Sequence, residues 1–181
     1  MEEINQICQE RALPVKNPAT FKLLIPSNVE SKIRYFCAVL PDNEWSGTLF
    51  YYIKGGVETG DLEITCKDFL LLDIGNAGYT VFKQSPEIIN YMSENNLLDC
   101  CTGLIHSHDK METFFSGTDL NTLQSEGNNS NHFVSLIVNN AGVYTAAITT
   151  KVKKVSEISA VETYNTFNDE KVKLPTHRYC E

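Results

Sequence analysis

The chain has 181 residues and a formal net charge of −8, with 42% hydrophobic and 21% charged residues. That length suits one domain around a single buried core, and the apolar fraction argues against wholesale disorder. So acidic a chain disfavours a role built mainly on phosphate-backbone binding, which needs a basic surface.

The first residues, Met1 to Arg11, are polar and acidic, with no basic region leading into an apolar run, so no signal peptide is visible. No apolar stretch approaches the roughly 20 residues that span a bilayer. The six cysteines, at 8, 37, 66, 100, 101 and 180, form no Cys-x-x-Cys pair and are widely scattered. They read as reduced thiols of a cytoplasmic protein, with no membrane association. Residues 1–19 form an N-terminal lead.

Structure is expected from Thr20 to Ile25, a short half-apolar strand. Pro26-Ser27-Asn28 offers a turn and a helix N-cap. Val29, Ile33, Phe36, Cys37 and Leu40 then fall on one helical face, and Pro41 ends the helix. Glu44 to Lys54, rich in aromatic and β-branched residues, predicts a strand stopped by Gly55-Gly56. Leu62 to Ile74 predicts a second, whose Phe69-Leu70-Leu71-Leu72 run implies burial on both faces. Tyr79 to Phe82 predicts a third.

Ser85-Pro86-Glu87 opens a helix whose apolar face is Ile88, Ile89, Met92 and Leu97. Cys101 to His108 reads as a strand emptying into a loop. Ser116 starts a helix running to about Glu126. Phe133–Val138 and Val143–Thr150 read as strands joined by the Asn/Gly-rich hairpin 139–142. The expected fold is α/β of the α+β type: a mixed, curled sheet flanked by helices over residues 20–150. Residues 151–181 form an unassigned extension, and the chain stops without an obvious terminating element.

The chemistry concentrates in His106-Ser107-His108, then seven residues, then Ser116-Gly117-Thr118-Asp119. Residues two apart on an extended backbone point to the same side, so both imidazoles can converge on one ion. A seven-residue loop returns the next helix over the strand end, where Asp119 can supply an oxygen. Two nitrogens and one carboxylate leave a fourth tetrahedral position open, as in catalytic zinc sites. Taken singly these features are bland. Ser116-x-x-Asp119 is also a helix cap, and a lone His-x-His is more often a polar strand face. Their combination is far more specific, and two of the four histidines lie in this tripeptide.

His-Ser-His, seven residues, Ser-x-x-Asp resembles the signature of the JAMM (MPN-plus) metalloprotease family. Gly103-Leu104-Ile105 before the histidines and Phe115-Ser116-Gly117-Thr118-Asp119 after them are similar to its flanking wording. The resemblance implies the MPN/JAB architecture, which is cytidine-deaminase-like, with Zn2+ on His106, His108 and Asp119. It also implies a glutamate upstream on an early strand. Glu44 is the best candidate, because Glu44-Trp45-Ser46-Gly47 resembles the family's glutamate followed by glycine. Glu58 and Glu63 are rivals, one in a Gly-rich loop and one within the next strand.

The reaction so implied is zinc-dependent hydrolysis of an isopeptide or peptide bond after the tail of a ubiquitin or ubiquitin-like protein. Glu44 would serve as general base and then general acid, and the Ser116 hydroxyl as donor to the oxyanion. The strand after Gly60 and the loop Lys54 to Asp61 are candidates for pairing with that tail. Only thirteen residues separate Asp119 from Phe133. The long second insertion of some eukaryotic deubiquitinases, with its extra zinc, therefore looks absent. His132 and His177 belong to no ligand-spaced pattern, and Cys100-Cys101 reads as buried packing. Two other readings stay open: a metallohydrolase of the same fold acting on a cell-wall peptide or small-molecule amide, and a non-catalytic MPN scaffold, whose members characteristically lack these ligands.

Overall fold

A computed structural model of the chain describes residues 21–56, 59–130 and 132–150, together with short strand segments beyond them. The elements in order are β1 (Lys22–Leu24), α1 (Ser27–Val39), β2 (Trp45–Lys54), β3 (Glu63–Ile74), α2 (Glu87–Glu94), β4 (Cys101–Ser107), α3 (Gly117–Gly127), β5 (His132–Val138) and β6 (Tyr144–Thr150). The six strands form one mixed sheet in the order β1-β3-β2-β4-β5-β6. The pairs β1·β3 and β4·β5 are parallel, and the other neighbours are antiparallel. The α+β expectation therefore holds at the level of a mixed sheet with three helices among the described residues.

Alternation along the strands divides the core in two. Trp45, Leu49 and Tyr51 of β2 share a face with Ile105 of β4 and with Val134, Leu136 and Val138 of β5. On that face α1 lays down Val29, Ile33 and Cys37. Each large side chain buried there contributes about 1.5–3 kcal/mol. Phe50 points the other way, into a smaller cluster with Ile88 and Met92 of α2, Leu97 and Cys100. The apolar run in β3 serves both faces: Phe69 and Leu71 join the first cluster, Leu70 and Leu72 the second. The second face is also the one on which His106 lies, because His106 sits one residue from Ile105 on an extended strand.

Several expectations change in detail. Helix α1 begins at Ser27, with Pro26 in the capping position and no side-chain cap, so neither Ser27 nor Asn28 performs that role. In α2 likewise Pro86 takes the capping position without a side-chain cap, although Ser85 Oγ accepts from Glu87 N at 3.2 Å. Ile89 does not join the buried face of α2; it is 62% exposed, since the sheet covers only the Ile88–Met92 stripe. Residues 79–82 form no strand. Only an isolated bridge pairs Tyr79 with Asn76, and the rest is an irregular strap laid across the sheet. Cys100 is buried as expected but Cys101 is exposed; both are free thiols, as are Cys37 and Cys66.

The lead at 1–19, with Glu58 and His177, lies outside the described residues. Of the 151–181 extension, the strands Val152–Lys153 and Tyr179–Cys180 pair antiparallel, as do Thr163–Asn165 and Glu170–Val172. No helix among the described residues is long and apolar enough to cross a membrane.

Candidate metal centre

Strand β4 carries His106 to the edge of the core and ends at Ser107, leaving His108 as the first residue of the loop. Its parallel neighbour β5 pairs His106 with Ile137 and Ser107 with Val138, and His108 N donates to Val138 O at 2.8 Å. Both imidazoles are thereby fixed at the carboxyl end of a parallel pair, where α/β sheets commonly bind ligands. Asp109 turns the chain away with φ +48°, a left-handed conformation that aspartate tolerates better than most residues. Its carboxylate accepts from Asn140 Nδ2 at 2.8 Å, while Asn139 Nδ2 donates to Met111 O at 2.9 Å. The hairpin after β5 therefore braces the loop that follows the histidines.

The loop returns as α3, whose N-terminus is a complete capping box. Asp119 N donates to Ser116 Oγ at 3.2 Å, and Ser116 N donates to Asp119 Oδ2 at 2.8 Å. The Ser116 hydroxyl also donates to Asp119 Oδ2, at 2.6 Å. Oδ1 is left facing the histidines, 3.2 Å from His106 Nε2. His106 Nε2 and His108 Nε2 stand 3.2 Å apart, and ligand atoms of all three residues lie within 4.8 Å of one another. The capping and metal readings of Ser116-x-x-Asp119 thus coexist, because the carboxylate has two oxygens.

This donor set fits zinc. Two ligands each about 2.0–2.1 Å from a tetrahedral ion stand about 3.3 Å apart, close to both 3.2 Å separations. The tautomer also fits. His108 Nδ1 lies 2.9 Å from Glu112 O, a carbonyl that can only accept, so Nδ1 keeps its proton, and Nε2, which faces Asp119, is the nitrogen that offers a lone pair once the ring is neutral. His106 Nδ1 is buried with no hydrogen-bond partner among the described residues. Phe114 packs edge-on against the His108 ring at 5.4 Å.

Charge at the centre is mutually sustained. Burial works against ionisation of Asp119, yet hydrogen bonds from His106, His108 and Ser116 hold its carboxyl well below the ordinary range. The Asp119 hydrogen bond in turn raises His108, against the opposing effect of burial.

Glu44 enters from the neighbouring strand and is only 6% exposed. Its backbone is clamped by Glu44 N donating to Asn76 O at 2.9 Å and Gly75 N donating to Glu44 O at 2.8 Å. The next residue is tied to β4, with Trp45 N donating to the buried Ser107 Oγ at 2.9 Å. A bulge at Ser46/Gly47 follows, a device that often re-aims side chains beside functional sites. Burial pushes the Glu44 carboxyl above its ordinary value, while His108 and His106 pull it partway back. The glutamate is therefore within electrostatic reach of both imidazoles and holds protons more readily than a surface carboxylate.

Glu63 is not part of this site. It pairs with Lys54 at the opposite end of β2, about 30 Å along the strand from Glu44 at roughly 3.3 Å per residue, and forms an ion pair with Lys22 at 3.1 Å. The loop after Lys54 leaves from that same remote end, so it does not border the centre. The segment that does is the strap 79–82. With α3 it walls a cleft of about 260 Å³ floored by Ser46, Leu104 and His106. Ser46 Oγ donates to Val81 O at 2.8 Å, and Asp73 holds the strap through Val81 N at 2.9 Å, Thr80 Oγ1 at 3.0 Å and the Lys83 ammonium. Ser46, Asp73, Ser107 and Asp109 carry no sequence signal of this work; their roles depend on cross-strand register. No protein-family model matches the chain, and no curated protein matches it in sequence.

Proposed function

We propose that the chain is a zinc-dependent hydrolase of the JAMM type that cuts an isopeptide or peptide bond after the extended tail of a ubiquitin-like protein. One observation carries the reading: His106 Nε2 stands 3.2 Å from both His108 Nε2 and Asp119 Oδ1, with His108 Nε2 3.8 Å from Asp119 Oδ2, beside a buried glutamate with a raised pKa. Zinc, when bound, supplies a Lewis acid that polarises a carbonyl and lowers the pKa of water towards about 7. Glu44 accepts the proton of the attacking water and delivers it to the departing amine, a task suited to a carboxyl whose pKa is lifted towards neutrality. The Ser116 hydroxyl has a single proton, which rests on Asp119 Oδ2. It turns to the developing oxyanion while Ser116 N remains on Oδ2. The cleft between the strap and α3 receives the tail in an extended conformation. Free thiols at Cys37, Cys66, Cys100 and Cys101 accord with a reducing, cytoplasmic setting.

The test is metal analysis beside hydrolysis of tail-extended ubiquitin-like substrates. Wild type and Glu44→Gln should each hold about one zinc per chain, and His106→Ala and Asp119→Ala should hold none. Hydrolysis should disappear in Glu44→Gln and fall about 10²–10³-fold in Ser116→Ala with zinc retained. A wild-type rate from Glu44→Gln, or no zinc in the wild type under non-chelating conditions, refutes the assignment.

A further inference from the structure

Three buried polar atoms of the sheet have no hydrogen-bond partner among the described residues: His106 Nδ1, Thr48 Oγ1 and Ser135 Oγ. Their residues are 3%, 2% and 0% exposed. A polar group withdrawn from water without a partner is costly, so three together mark bonds that the protein's own atoms do not complete.

Strand register places them side by side. Thr48 of β2 and Ser135 of β5 both pair with Leu104 of β4 and so flank it, and His106 follows two residues along β4. Thr48, Ser135 and His106 are each one residue from a member of the larger core cluster, Leu49, Leu136 and Ile105, so all three face the opposite side of the sheet. Diagonal neighbours on adjacent strands stand about 7–8 Å apart, a gap that an imidazole and a hydroxyl close with one water between them. The neighbouring cleft of about 260 Å³, lined by both Leu104 and His106, gives water a way in.

The direction of the ring agrees. His106 Nε2 is turned to His108 Nε2 and Asp119 Oδ1, each 3.2 Å away, so Nδ1, on the other side of the ring, faces back towards the Leu104 row. An imidazole that binds a metal through Nε2 carries its proton on Nδ1 and needs an acceptor there to fix the ring. His108 has Glu112 O for that purpose. Beside His106, Ile137 is apolar, and Ser46 Oγ already donates to Val81 O and accepts from Thr80 Oγ1.

We propose that Thr48 and Ser135 are positioning residues of the metal centre, whose hydroxyls receive the Nδ1 proton of His106 through ordered buried water and so hold Nε2 towards the ion. This rests on the zinc reading above, and its test is chosen to fail separately. The full chain is compared with Thr48→Val, Ser135→Ala, their combination and Thr48→Ser, by chelator competition for zinc and by melting of the metal-free proteins.

The double variant should bind zinc about tenfold more weakly. Without metal it should melt no lower than the parent, because it removes hydroxyls that no protein atom satisfies. Each single variant should lose part of the affinity, and Thr48→Ser should keep it. Unchanged affinity in the double variant overturns the inference, as does a Thr48→Ser variant as weak as Thr48→Val, which would trace the loss to packing. Should the double variant not fold, a crystal structure of the zinc-loaded parent decides: water bonded to His106 Nδ1 and to either hydroxyl supports the inference, and its absence overturns it. Zinc binding indifferent to the hydroxyls in a chain whose hydrolysis depends on Glu44 would sink this inference alone. Hydroxyl-dependent zinc affinity in a chain that never hydrolyses would sink the hydrolase reading alone.

Discussion

Ser107 is the middle residue of the His-Ser-His tripeptide, and its replacement by alanine tests the link between β2 and β4. Its Oγ is the acceptor for Trp45 N–H, 2.9 Å away in a fully buried setting. Trp45 precedes Ser46, the first β2 residue in register with β4, so no β4 carbonyl in that ladder stands opposite this N–H. Alanine at 107 therefore leaves a buried donor unpaired, which costs about 1–3 kcal/mol. At about 2 kcal/mol, a domain of this size should melt about 4–8 °C lower. Urea denaturation should show a lower midpoint with an unchanged slope. Zinc content should stay at the wild-type level, because all three ligand side chains remain. Turnover should nevertheless fall, by about 10–100-fold, because the freed Trp45 segment carries Glu44 out of position. A midpoint shift worth less than about 0.5 kcal/mol, with wild-type turnover, would show that the Ser107 bond neither supports the strand end nor positions the glutamate.

Two further outcomes follow from the geometry. Lys83, with Val81 N and Thr80, holds the Asp73 carboxyl below its ordinary value of 3.8 against the opposing effect of burial, so this bonding stabilises the fold above that pH and is lost as pH falls through the lowered value. Asp73→Asn should accordingly be less stable than wild type at neutral pH, the gap closing below about pH 3.8 in paired acid-unfolding curves; a gap that is constant with pH would refute the sign. A Cβ at Gly103 would lie deep inside contact with Val134 O and 2.9 Å from Tyr51 Cε1, so Gly103→Ala should cost about 1–3 kcal/mol in urea denaturation. Wild-type stability there would mean that β4 and β5 can part without penalty.

Much of the site was legible because its signals are local. The His-x-His pair is set by strand alternation, Ser116-x-x-Asp119 by helix capping, and both are periodicities of a single element. The same holds for the α1 stripe of Val29, Ile33 and Cys37. The strap 79–82 was misread as a strand for the complementary reason. Its Tyr-Thr-Val-Phe composition is strand-like, but its groups are engaged by Asp73 and Ser46 side chains rather than by a ladder. Ile89 was misplaced because helical spacing gives a face without saying how wide a stripe the partner covers.

The sequence by itself therefore determined which three side chains can share an ion and that a cap orients one of them. It nominated Glu44 only through wording near a strand start. The tertiary structure alone decided that Glu44, rather than Glu63, lies within electrostatic reach of the imidazoles. It also decided that Ser107 ties the two strands together. Register between distant strands and the direction in which a helix returns across them are set by the packing of the whole sheet. No short window of residues encodes either.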